Sequence, residues 1–135
     1  MTAPTTNQIG YQTFTKYAST SAPYQGNTFG TLTLSPIGSV WYINANLIVT
    51  SSQAMAFSTL TIQTGTTYTY GNSMQSIGGT SNSANVVANI PIYLSCNGIY
   101  TVVSGAQTIL YGAWFNTTAT TVTLGTTCMT ATRIA

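Results

Sequence analysis

The chain has 135 residues, the size of one domain, and is 44% hydrophobic but only 1% charged: its charges are Lys16 and Arg133, with no Asp, Glu or His. That inventory excludes a Ser-His-Asp triad, a paired-carboxylate glycosidase, a carboxylate calcium site and a histidine zinc site, and two cysteines are too few for a four-thiolate metal site. We therefore expect no enzyme, no metal and no cofactor. Two cations at opposite ends of the chain cannot build a phosphate-binding patch, so no nucleic-acid partner is expected. The opening MTAPTTNQIG lacks the basic and apolar regions of a secretory signal, and no apolar run approaches the roughly 18 residues of a membrane helix.

Threonine is the commonest residue, Tyr, Ile and Val are frequent, and Gly, Asn, Ser and Pro recur at intervals of roughly ten residues, the rhythm of an antiparallel sandwich or barrel. Gln8 to Lys16 (QIGYQTFTK) reads as an N-terminal strand, or as an arm covering residues 1–16. GNTFG, Gly26 to Gly30, reads as a turn rather than a phosphate-cradling loop, and Thr28 to Leu34 as the next strand, stopped by Ser35-Pro36. Val40 to Thr50 (VWYINANLIVT) alternates with a period of two, placing Trp41, Ile43, Ala45, Leu47 and Val49 on one face. Ala54 to Gln63 follows, then a short Thr67 to Tyr70. Gly71 to Ser83 (GNSMQSIGGTSNS) has little periodicity and reads as a polar loop, the best place for a contact with a receptor or neighbour. Asn85 to Leu94 alternates again, with Pro91 placing it at an edge or bulge because proline cannot donate to a ladder. Gly98 to Val103, Thr108 to Asn116 (TILYGAWFN), Thr120 to Leu124 and Thr127 to Ile134 complete the set.

No linker or fixed-period repeat divides the chain, so a single β-sandwich domain over residues 1–135 is expected. About eight or nine strands with long loops suit an all-β, antiparallel two-sheet jelly roll. An immunoglobulin-like sandwich fits less well: its Cys…Trp…Cys order fails, since Trp41 precedes Cys96 and Trp114 stands shortly before Cys128.

Three stretches carry a resemblance. TTNQIGYQ (Thr5 to Gln12) is similar to the segment that opens many C1q/TNF-like jelly rolls of viral and phage fibre tips and of capsids of large DNA viruses. IGSVWYINANLIV (Ile37 to Val49) resembles the glycine-led strand of that fold with its Trp/Tyr-x-x-x-Ala pattern, and CMTATRIA (Cys128 to Ala135) its terminal Ala/Ser-x-Arg-Ile strand. The resemblance implies a virion protein: a symmetric trimer, packed through one face of the jelly roll, serving as a capsid subunit, fibre head or host-attachment component. A host-surface glycan or receptor is then a candidate partner. The chain departs from such relatives in having no acidic residue.

A surface with so little charge does little to keep copies apart, so a homo-oligomer or a crowded assembly is expected. On Thr108 to Asn116, Ile109, Tyr111, Ala113 and Phe115 alternate with Leu110, Gly112 and Trp114, leaving both faces apolar. One set is core; the other lies under a loop or against a neighbouring subunit. The interface reading falls on Tyr42, Tyr111 and Phe115. Arg133 would bond backbone carbonyls or the C-terminal carboxylate of a neighbouring subunit, or stand exposed at a strand end. Cys96 and Cys128 form a disulfide or remain two buried thiols. Asn116-Thr117-Thr118 is the one N-x-S/T sequon and offers a glycosylation site.

Two rival readings stand beside the viral one. In an extracellular filament or pilus, the strand Gln8 to Lys16 would complete the sheet of the next subunit. In a carbohydrate-binding module, Trp41 or Trp114 would stack on a sugar. Under any reading, a chain without side-chain carboxylates or imidazoles should keep a nearly constant folding stability from about pH 3 to about pH 8.

Overall fold

A computed structural model describes residues 8–18, 21–23, 25–68, 76–115 and 121–135. It contains ten strands: β1 (Gln12–Lys16), β2 (Ser21–Pro23), β3 (Gln25–Leu34), β4 (Val40–Thr50), β5 (Met55–Thr64), β6 (Ser76–Val86), β7 (Ile92–Thr101), β8 (Gln107–Phe115), β9 (Thr121–Leu124) and β10 (Cys128–Arg133). Among the described residues there is no helix.

The ten strands form eight lines. β1 and β2 share one line, because β1 pairs with β10 and β2 with β9 in an unbroken register: Lys16 lies opposite Cys128 and Ser21 opposite Thr123. β9 and β10 lie end to end along the same side of β4. The first sheet therefore runs β1/β2, β9/β10, β4, β7, and the second β3, β8, β5, β6. Every pairing is antiparallel, and four are nested: first line with last, β3 with β8, β4 with β7, β5 with β6; β4 with β9/β10 and β5 with β8 then join these pairs into the two sheets. One long hairpin has been rolled into two sheets, which is a jelly roll.

The break between β9 and β10 is a bulge. Leu124 lies opposite Val49 and Cys128 opposite Asn46, so the β9/β10 line spends one residue more than β4 over the same stretch. Gly125 sits there, its N–H donating to the Ile48 carbonyl at 2.9 Å. A Cβ on Gly125 would stand 2.9 Å from Cβ of Ile48, so only glycine lets the backbones meet this closely.

The core lies between the sheets. From β4 it takes the five residues that the alternation selects, Trp41, Ile43, Ala45, Leu47 and Val49, all buried. β8 contributes Ile109, Tyr111, Ala113 and Phe115, and Phe29 stacks against both Tyr111 (5.6 Å between ring centroids) and Tyr17 (4.9 Å). The Trp41 indole N–H, which burial would otherwise strand, donates to Ser39 Oγ at 2.9 Å, and that hydroxyl donates onward to the Pro36 carbonyl at 2.6 Å.

Four sequence expectations change. GNTFG is not a turn: Gly26 to Gly30 lies inside β3, with a register irregularity between Thr28 and Gly30. The polar stretch expected as a loop, Gly71 to Ser83, supplies most of β6 from Ser76 onward; main-chain ladder bonds to β5 need no apolar alternation, and residues 71–75 lie outside the described set. Asn85 to Leu94 is two strands, because the chain changes sheets between Val86 and Ile92, with Asn89 at φ 61° and its N–H donating to the Ser51 carbonyl. Thr67 and Tyr68 are not in a strand, and residues 69–70 fall outside the described set.

Candidate assembly surface

The residues expected to form a subunit interface do not act together. Tyr111 and Phe115 point into the core with no exposed surface, so neither can meet another molecule. The Tyr111 hydroxyl donates to the Thr127 carbonyl at 2.9 Å, fastening β8 to the bulge between β9 and β10. Burial pushes this phenol well above the usual tyrosine range. Tyr42 does stand on the outer face of the first sheet, partly exposed. Arg133 turns back on its own chain, its Nε donating to the Ala135 backbone oxygen at 3.0 Å.

Cys96 and Cys128 are both free thiols. They flank β4 on opposite sides, Cys96 opposite Ala45 and Cys128 opposite Asn46. Ala45 faces the core and Asn46 faces out, so the two thiols lie on opposite faces of the sheet, two strand spacings apart, and no bridge can form. Burial raises the Cys96 thiol to about 12, with a backbone hydrogen bond from Ile62 pulling the other way. Trp41 is buried, so it offers no sugar platform, and Trp114 is half-buried. Asn116 lies outside the described residues.

The outer faces of the two sheets differ. On the second sheet, Thr59, Thr61 and Gln63 of β5 and Leu110 and Gly112 of β8 face away from the core and are nevertheless buried. The chain itself lies over them: Tyr68 N–H donates to Thr28 Oγ1 at 2.8 Å, and a Cβ on Gly112 would meet the Tyr68 ring at 2.5 Å and the Asn27 carbonyl. The first sheet presents Phe14, Tyr42, Tyr93 and Ile99 to solvent between Thr, Ser and Asn side chains. Cross-strand contacts such as Gln12 Nε2 to Thr132 Oγ1 (3.2 Å) tie this surface together, and Lys16 is its one charged residue among the described positions.

Exposed apolar residues gather at one end of the sandwich, where β1 and β4 begin and β7 and β10 finish. Gly38 N–H donates to the Val102 carbonyl (2.7 Å) and Val102 N–H to that of Ser39 (2.9 Å), which sets Ile37 beside Val103. Across the sheet, Gly10 N–H donates to the Arg133 carbonyl and Ile134 N–H to that of Val40, both at 2.8 Å, which brings Ile9 and Ile134 to the same rim. Tyr42 and Ile99, direct partners on β4 and β7, lie on the outer face a little further along the sheet. All six are between 41% and 72% exposed. Except for Tyr42, the interface reading of the sequence does not include them. Their signal was turn chemistry: Ile37 in PIGS and Val103 in VVSG are large apolar residues in segments whose Gly, Pro and Ser place them outside the ladder.

No protein-family model matches the sequence, and no curated protein is similar to it. Solved structures of viral-particle proteins are similar in fold. A chain of the T13 particle of infectious bursal disease virus superposes with a TM-score of 0.60 over 93% of this chain at 7% identity. The Gx strain of that virus gives 0.54 over 93% at 12%, and its VP2 subviral particle 0.53 over 92% at 11%. This chain spans only 32%, 30% and 32% of those three chains. At such identities the likeness is one of fold.

Proposed function

We propose that the protein is a non-enzymatic structural subunit of a virion shell, which assembles with further copies of itself. The observation that carries this reading is the complete jelly roll, superposable over 93% of the chain on a chain of an icosahedral virus particle. Composition supports it: a surface with almost no charge is suited to close packing and unsuited to life as a dilute monomer. The C1q/TNF-like resemblance favours a trimer as the first closed unit. The strand-donating filament is disfavoured, because β1 is already paired with β10 of its own chain along five residues and completes its own sheet. Light scattering on the purified protein, followed by negative-stain microscopy, tests the proposal. Discrete closed oligomers or shells are expected. A protein that stays monomeric up to millimolar concentration, or grows only as helical filaments, would overturn it.

A further inference from the structure

We infer that the apolar rim at the end where β4 begins is the surface through which one copy contacts a second copy. The inference rests on the shell-subunit reading and adds its geometry: which part of the jelly roll meets the neighbour, and which part is left free.

Three observations point to this surface. Ile9, Ile37, Tyr42, Ile99, Val103 and Ile134 lie at one end of the sandwich, placed there by main-chain hydrogen bonds and ladder register rather than by proximity in sequence. At several tens of Å² for each large side chain left 41–72% exposed, the six offer on the order of 300 Å² of apolar surface. That is within the range of the largest patch on a monomer, about 300–600 Å², a size that is often functional. It is a substantial part of the roughly 800 Å² that each partner of a stable complex contributes.

The second observation is charge. Arg133 is the one charged residue at this end among the described residues, and its Nε is held on the Ala135 backbone oxygen. The chain has no carboxylate side chain, so an identical copy seated here buries none and meets none. A basic partner would find no opposite charge here among the described residues, and an acidic one only Arg133, which is already engaged within its own chain. A second copy is the occupant whose chemistry the rim matches.

The third is the contrast with the rest of the surface. The outer face of the second sheet is already covered by its own chain, through Tyr68 over Gly112. At the far end of the sandwich, Val87, Ile90 and Tyr93 are exposed, but the 87–91 connection there is tied to the β4–β5 turn by Asn89 N–H to the Ser51 carbonyl (2.7 Å) and carries fewer large apolar groups. Contact through the rim leaves that far end facing outward.

The test exploits the absence of acidic residues. Ile99→Asp and Val103→Asp each place one carboxylate at the rim, at positions already exposed and so compatible with folding, which a circular-dichroism melt checks. Tyr93→Asp makes the same change on the same face of β7 at the opposite end. At pH 7 the two rim variants should raise the dissociation constant about tenfold or more, because copies now bring like charges together. At pH 3, below the usual carboxylate range, association should return, since no native side chain of Asp, Glu or His type titrates in between. Tyr93→Asp should associate like the wild type at both pH values. Hydrogen exchange on the wild type, concentrated against dilute, gives a readout that needs no variant: protection is expected at 36–39 and 99–103.

Rim variants that associate as the wild type does, or protection that falls at 87–93 instead, would overturn the rim while leaving the shell-subunit reading intact. A wild type that does not associate at all overturns that reading first.

Discussion

Stability should fail in alkali and not in acid. In most proteins acid unfolds the chain by protonating carboxylates that are paired in the folded state, each worth up to about 2.6 kcal/mol. Here there is no such side chain, and no histidine to charge. Alkali acts through different groups. An unfolded cysteine loses its proton near pH 9 and a tyrosine near pH 10. In the fold, burial keeps Cys96 protonated up to about 12 and raises Tyr111 and Tyr100 as well. Between those values the unfolded chain binds fewer protons than the folded one, so stability falls as pH rises; below about pH 9 the contribution is complete. For Cys96 the interval from its ordinary 9.0 to about 12 is three pH steps. At about 1.36 kcal/mol each, they cost about 4 kcal/mol by pH 12, a large part of the 5–15 kcal/mol that holds a typical domain together. At a few degrees per kcal/mol, that is on the order of 15 °C in Tm. Thermal melts followed by circular dichroism from pH 3 to pH 12 should show a plateau and then a steep descent beginning near pH 9. Cys96→Ala, though less stable at pH 7, should descend less steeply by about one proton's worth. A Tm that drops by many degrees between pH 7 and pH 4, or an alkaline limb unchanged in Cys96→Ala, would refute the reasoning.

Three further outcomes follow from single contacts. Gly112→Ala should cost about 1–3 kcal/mol in urea denaturation, because its Cβ would run into the Asn27 carbonyl and the Tyr68 ring, and backbone cannot step aside as a side chain can. Tyr111→Phe removes the bond to the Thr127 carbonyl, but that oxygen keeps the Tyr17 N–H at 3.0 Å, so the loss should be near 1 kcal/mol rather than the larger cost of a stranded acceptor. Because the two thiols sit on opposite faces of the first sheet, the Tm of the monomer should be the same with and without a reducing agent, and a reductant-dependent Tm would contradict that geometry.

The parts of the fold that were legible in the sequence are those where one face of a strand is buried and the other wet. β4 is the clearest case, with its ends and all five inward residues read from alternation alone. β8 was harder for a physical reason. Both of its faces are covered, so the sequence shows two apolar sets without saying which is inside; the interface reading falls on Tyr111 and Phe115, and the structure has them in the core. β6 and the three-residue β2 carry no apolar signature, because an edge strand can be held by main-chain bonds alone. The rim residues escaped because periodicity locates buried residues, and exposure in a turn leaves no period to find.

A chain without charge repulsion must restrict self-association by geometry instead, and its sheet edges show how. The outer line of the first sheet carries Lys16, exposed, and Pro23, which has no N–H to offer; both residue types blunt a free edge. On the other side of that sheet β7 is an uncharged ten-residue strand, but β6 lies against it where the sheets meet, so that edge is not left bare. The outside of the second sheet is covered where Tyr68 lies over Gly112. What stays open is side-chain surface, the face of the first sheet and above all the exposed apolar residues at its rim. Association through side chains rather than through strand edges would stop at a defined geometry, which the proposed shell requires and an amorphous aggregate does not.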